Sequence, residues 1–350
     1  MLKYFINWNK YKPGILKEFD EFTDKLNNNN TCKFIDFNSA FDIKNFIKQN
    51  MDETISMIFP MTGRIHIVSK INLAMQDMIE CLKYIDTIQN TKITFFFIPC
   101  DVFYCNINEI FFKTLHPLQS NKIKIIITML DAEDYDENTT TEICPFHKIK
   151  GKLHPLKYPK DAFYFPMNYA YKNSFIPFNN NPVNKIALSG SIELNNNPYY
   201  TREIINKKLS SFPNKYQRIA GHRLERNPEH GNSFNLKLNK YIANIYTTVY
   251  NYNKSVILLK FFEILASGSL LIIPLEQKSI CDKLGLHNNI HYKIINFEND
   301  NDMHNEINYI LEPANRTEID KIRQDGQQFC SHHLDVNFLY EHFMKCFLDT

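Results

Sequence analysis

Apolar residues in the first half of the chain fall into short unbroken runs: Lys3 to Trp8, Lys33 to Phe37, Thr54 to Pro60, Lys92 to Ile98 and Lys122 to Met129. Runs such as "ITFFFIP" and "IKIIITML" do not alternate apolar with polar, so they predict strands covered on both faces, which is the condition of a parallel sheet. Between strands, spacing changes to that of a helix, as in Ile71 to Ile88, where Leu73, Met75, Met78, Ile79, Leu82 and Ile85 share one face. Strand and helix therefore alternate, the pattern of an α/β unit. From about Thr139 to Pro182 no period is sustained, and Pro, Lys, Tyr and Asn dominate, which reads as a connection between domains.

A second alternation begins at "KIALSGSI" (Lys185 to Ile192). It continues through a helix around Tyr200 to Ser210, a strand near Tyr216 to Ala220, a helix from about Ser255 to Ala266, and the strand "SLLIIP". "HYKIINF" (His291 to Phe297), a helix from about Asp302 to Leu311 and a long helical tail from Arg316 complete it. The 350 residues suit two domains better than one core. The expected fold class is α/β, two Rossmann-like domains facing across a cleft, with the cleft as the default ligand site.

Composition narrows the function. Forty Lys and Arg against thirty-eight Asp and Glu leave +2, far from the basic excess of a protein whose partner is a phosphate backbone. Nucleic acid is therefore not an expected partner. The eight Cys show no CxxC or zinc spacing, and Cys330 with His332 and His333 lacks a fourth ligand at usable spacing. No apolar run reaches the roughly 18 residues of a membrane span, and the chain does not open on a secretory signal. A cytoplasmic protein, soluble or peripheral to a membrane, is the expectation. Asn tracts at 27–30, 179–181 and 195–197 read as loops.

The stretch "LKFFEILASGSLLIIP" (Leu259 to Pro274) carries the most specific chemistry. Lys260 and Glu263 are the only charges between Val256 and Leu275. They lie three apart on a helix, with Ser267 four residues further along the same side, and Gly268 ends the helix. Ile257, Leu258, Phe261, Phe262, Ile264 and Leu265 cover the remaining surface. The two charges either neutralise each other across one turn or face a ligand, and spacing leaves both open.

"KFFEILASGSLLI" resembles the carboxyl-terminal signature of glycosyltransferases with the GT-B fold, of the group-1-like kind, with its Lys/Arg-x-x-Glu core and following apolar strand. "NPVNKIALSGSI" (Asn181 to Ile192), "NNIHYKIINFEND" (Asn288 to Asp300) and the segment Ile307 to His333 resemble neighbouring parts of the same domain in the same order, so the resemblance spans about Val183 to Asp335. It implies an amino-terminal acceptor-side domain at 1–175, a nucleotide-sugar-binding domain at 183–335, and a terminal helix at 336–350 that packs back on the first. It implies further that Glu263 accepts hydrogen bonds from ribose hydroxyls, that Lys260 lies toward the diphosphate, and that Ser189, Gly190, Ser191, Ser267, Gly268 and Ser269 line the donor site. The implied donor is a UDP- or GDP-sugar, with no metal or other cofactor required, and the acceptor a glycan, lipid or protein hydroxyl.

Arg202 in "PYYTREII" and Arg223 in "AGHRLER" are candidates for diphosphate contacts, because a guanidinium fork matches phosphate oxygens; for Arg223 a plain surface role is the alternative. Tyr199 and Tyr200 are candidates for stacking on a base. Asp101, at the carboxyl end of an apolar strand, is the leading candidate for the base that deprotonates the acceptor, with His66 second. One departure stands out: retaining members carry a second Glu eight residues before the place of Glu263, where this chain has Ser255. That leaves inversion, or a divergent acceptor arrangement, open. Two other readings compete, a binding module that keeps the donor pocket without catalysis, and a metal-dependent transferase of the GT-A kind using Asp134 and Asp136 of "DAEDYDEN".

Overall fold

The structure, a computed structural model, describes residues 2–8, 20–30, 32–37, 39–61, 80–81, 83–88, 93–99, 123–127, 163–164, 170–190, 200–219, 231–247 and 259–348. The chain divides into two compact units, one of Met1–Met167 with His342–Thr350, the other of Asn168–Glu341.

In the first unit β1 (Leu2–Trp8), β2 (Lys33–Phe37), β3 (Ile55–Met61), β4 (Ile93–Pro99), β5 (Ile123–Ile127) and β6 (Phe163–Tyr164) form one sheet in the order β2-β1-β3-β4-β5-β6. Every described pairing is parallel, as the unbroken apolar runs predict. Two helices lie between the early strands, α1 (Asp20–Asn28) and α2 (Ala40–Gln49). α2 starts where Ser39 Oγ accepts from the Asp42 N–H, and it buries Ala40, Ile43 and Ile47 along one stripe. Its Phe46 meets Tyr4 of β1 edge to face at 5.0 Å.

The second unit is built in the same way from β7 (Val183–Ser189), α3 (Tyr200–Leu209), β8 (Tyr216–Ile219), α4 (Gly231–Asn239), β9 (Tyr241–Ile245), α5 (Leu259–Ala266), β10 (Leu270–Pro274), α6 (Lys278–Lys283), β11 (Lys293–Ile295), α7 (Asp300–Leu311), α8 (Arg316–His333) and α9 (Val336–Leu348). Its sheet runs β11-β10-β9-β7-β8, again parallel. Ile186, Leu188, Ile242, Ile245, Leu270 and Ile272 project into a core closed by Ile205 and Leu209 of α3 and Met303, Ile307 and Ile310 of α7.

Three features differ from the sequence reading. α4 and β9 were not anticipated: α4 carries Asn and Lys among few apolar residues, and five residues of β9 give too short a signal. β9 is nonetheless the central strand. The tail after Arg316, one helical stretch by periodicity, is two helices, because Asp335 Oδ1 accepts from the Asn337 N–H and starts a new one, which lies within the 336–350 that the resemblance implied as a separate terminal helix. α9 crosses the division between the units, and within the first unit its Phe343 packs on Phe22 of α1 at 5.3 Å.

The third difference concerns residues 170–182, the end of the stretch expected as a connection between domains. They are fastened to the second unit: Asn235 Nδ2 donates to Ser174 O at 2.6 Å, Gln327 Nε2 to Ile176 O at 2.8 Å, and Arg323 Nη2 to Asn179 O at 3.0 Å. A buried backbone must pair its carbonyls, and here side chains supply the partners that a sheet would otherwise give.

Among the described residues no helix is long and apolar enough to cross a membrane. No grouping of three His, Cys, Asp or Glu that could hold a metal occurs among them. Cys330 is buried beneath Phe262, and His332 Nδ1 lies 2.8 Å from Gln328 O, so Cys330, His332 and His333 do not converge.

Candidate functional site

A doubly wound sheet has one place where its strand order reverses, and there the loops leaving adjacent strands diverge and open a crevice at the carboxyl edge. In the second unit this lies between β7 and β9. Leu188 is level with Ile245, so Ser189 and Tyr246 emerge side by side. α5 is seated at this edge by Phe261, whose ring meets Tyr246 edge to face at 5.4 Å, both rings being buried.

Gly190 follows Ser189 with φ +113, a conformation side chains rarely adopt. A methyl group there would overlap both the Arg202 guanidinium and the Lys260 ammonium. Each of these head groups lies 2.5 Å or less from the same point, which puts them under about 5 Å apart. Arg202, on α3 and only 3% exposed, is held by a hydrogen bond from its Nε to Thr247 Oγ1 at 2.9 Å. Lys260, in the first half of α5, donates to Ser189 O at 3.0 Å. From β8, Arg218 Nη1 donates to Leu188 O at 2.7 Å and to Ile219 O. Three basic side chains thus arrive from three elements at the end of one strand.

The electrostatics follow from that crowding. Burial, then the Arg202 guanidinium, push Lys260 well below the usual lysine range; Glu263 opposes them and Arg218 adds to them. Burial also pushes Arg218 down, with Tyr216 opposing. Ser189 Oγ is 0% exposed and has no hydrogen-bond partner among the described residues. A cluster of positive charge with a buried hydroxyl beside it is complementary to an anion rich in oxygen acceptors, above all a phosphate.

The sequence-predicted residues divide into three sets. Ser189, Gly190, Arg202 and Lys260 come together at this edge, with Glu263 one turn along α5 from Lys260. Ser267, Gly268 and Ser269 were expected beside them, but the turn they form precedes β10 at the amino edge of the sheet. Leu270 is level with Ala243, and Ala243 with Ile186, so about three residues of strand, roughly 10 Å, separate that level from Ser189. Their polar groups are engaged there. Ser267 Oγ donates to Ile264 O, Ser269 Oγ to Tyr241 O, and Gly268, at φ +70, presents its carbonyl to Arg323 Nε at 3.0 Å. Asn239 and Gln327 cap the adjoining carbonyls of Ser267 and Ala266. The helix end is a structural joint. Asp101, His66, Ser191, Arg223, Tyr199, Ser255, Asp134 and Asp136 lie outside the described residues, as does the Tyr200 side chain.

Arg218 and Thr247 were missed. Arg218 sits beside Gln217 in the short strand "YQRI", where two half-buried polar residues give little signal. Thr247 carries none.

No family model matches the chain, and no curated protein matches it. Among solved structures it is similar to a glycosyltransferase from Rickettsia africae ESF-5, at 12% identity and a TM-score of 0.49, over 99% of this chain and 97% of that one. The chain is similar to solved glycosyltransferases. A second is WaaG, a glycosyltransferase involved in lipopolysaccharide biosynthesis, at 8% identity and a TM-score of 0.45, over 99% and 98% of the two chains. A third is TarM, at 9% identity and a TM-score of 0.46 over 86% of this chain, which spans only 57% of TarM's length.

Proposed function

We propose that the second unit binds a nucleotide sugar and that the protein transfers its sugar to an acceptor hydroxyl. The observation that carries this reading is the convergence of Arg202 and Lys260 on Gly190 at the strand reversal, with Arg218 on the preceding Leu188 carbonyl and the buried Ser189 hydroxyl beside them. The diphosphate lies beside Gly190, where the missing side chain leaves room for the Arg202 and Lys260 head groups that meet its oxygens. Glu263 faces the ribose, because an ionised carboxylate offers only acceptors to two vicinal hydroxyl donors.

In the reaction the acceptor oxygen attacks the anomeric carbon while the bond from that carbon to the diphosphate breaks. Negative charge grows on the leaving phosphate oxygen, and cations already in place lower its energy without further reorganisation. They supply what a divalent ion would supply, so the proposed transfer is metal-independent. The acceptor's proton goes to a base, for which Asp101 is proposed first and His66 second. The proposed donor is a UDP- or GDP-sugar, the acceptor a glycan, lipid or protein hydroxyl, and the setting cytoplasmic or peripheral to a membrane.

Thermal unfolding with UDP, GDP, CMP and ADP and their sugars, with and without Mg²⁺, tests the reading, because a ligand that binds only the native state raises the midpoint by mass action. One nucleotide should stabilise the protein without metal, and Glu263→Ala should remove that shift while remaining folded. Slow release of free sugar from the same donor separates an enzyme from a binding module. No shift with any nucleotide would sink the donor site.

A further inference from the structure

We propose that the diphosphate site takes up a proton as it fills: Lys260 is a neutral amine in the ligand-free protein and becomes an ammonium when a diphosphate settles between it, Arg202 and Arg218. This rests on the donor-site reading and adds to it a protonation change and the residue that carries it.

The charged groups that face Lys260 among the described residues are Arg202 from α3, Arg218 from β8 and Glu263 from its own helix, and its amine donates to the Ser189 carbonyl of β7 at 3.0 Å. Arg202 is under about 5 Å away, against the same face of Gly190. Three positive charges cannot share so small a volume at low cost. A guanidinium keeps its proton in any protein environment, whereas an amine surrenders it readily when buried. The group that yields is therefore Lys260, and burial together with Arg202 outweighs the attraction of Glu263. Losing the proton does not cost the lysine its place, since a neutral amine still donates to a carbonyl.

A bound diphosphate reverses the balance. Its two negative charges make three positive ones favourable, and the amine takes one proton from solvent to become an ammonium; no bond in the ligand is made or broken. Ligands without phosphate supply no such return, so the site favours diphosphates over neutral sugars or nucleosides. Affinity should be level at low pH and fall by up to tenfold per pH unit wherever Lys260 is neutral before binding and charged after it.

Calorimetric titration of the full chain with UDP-glucose and GDP-mannose, in pairs of buffers of different ionisation enthalpy between about pH 6 and pH 8.5, counts the proton directly. The phosphodiesters of these probes do not titrate in that range, so any proton taken up belongs to the protein. The expected result is uptake approaching one proton in the unmodified protein and none in Lys260→Arg, whose charge is permanent and whose affinity should not vary with pH. Lys260→Gln is the second variant, also without uptake, should the bulkier arginine prevent folding. Binding without uptake, or uptake that persists in Lys260→Arg, overturns the proton linkage and leaves the donor site standing. If neither probe nor inorganic pyrophosphate binds, the donor reading fails and the linkage with it.

Discussion

Replacing Ser189 with alanine removes one oxygen atom from the end of β7, and the direction of its effect separates a structural hydroxyl from one awaiting a ligand. In the ligand-free protein that oxygen is fully buried and has no partner among the described residues, an arrangement that costs about 1–3 kcal/mol relative to water. Its removal leaves a space of roughly one atom, worth about 0.3 kcal/mol at the usual cost per unit of cavity volume. Ser189→Ala should therefore be more stable than the parent by about 1 kcal/mol, raising the thermal midpoint by roughly 2–4 °C. Ligand binding should change in the opposite sense. A hydroxyl that donates to a phosphate oxygen contributes about 1.5–3 kcal/mol, so affinity for the nucleotide that binds should fall by roughly tenfold to a hundredfold. Urea unfolding with and without that nucleotide measures both quantities on one sample. A variant destabilised by more than about 1 kcal/mol, or one that binds as tightly as the parent, would refute the assignment of Ser189 to an anion.

Gly190→Ala forces a methyl group into the space of two cationic head groups at φ +113; it should lower stability by about 1–3 kcal/mol and abolish the nucleotide-induced thermal shift, and an unaltered shift would count against the site. Arg323 is buried, donates to Gly268 O and Asn179 O at 3.0 Å each and lies 4.5 Å from the Phe178 ring; Arg323→Ala should cost about 3–5 kcal/mol in denaturant unfolding, and Arg323→Lys should recover little because one ammonium cannot reach both carbonyls. His291 accepts the His287 N–H at its Nδ1, and burial and then His287 push it below the usual histidine range of 6.5, with Asp325 opposing and His333 adding. Its contribution to stability is therefore present above about pH 6.5 and lost as pH falls from there toward its lower folded value, so unfolding midpoints should drop on acidification and His291→Gln should flatten that limb.

The local pattern of the chain determined most of what is local. Unbroken apolar runs demanded strands covered on both faces, and both sheets are parallel in every described pairing. The helix at Leu259 ends at Gly268, where φ is +70, as the glycine indicated. Two charges in an apolar helix showed that a polar partner was needed, without saying which. That partner was decided by topology: the amine of Lys260 reaches Ser189, 71 positions away, because β7 and β9 are neighbours at the strand reversal. The same register places Ser267 to Ser269, only a few residues from Glu263, at the far edge of the sheet. Periodicity reports which face of an element is apolar and where the element stops, since both are set by residues within a turn or two. Strand order and register arise from packing summed over the whole unit, and they alone bring Arg202, Arg218 and Lys260 to the end of β7.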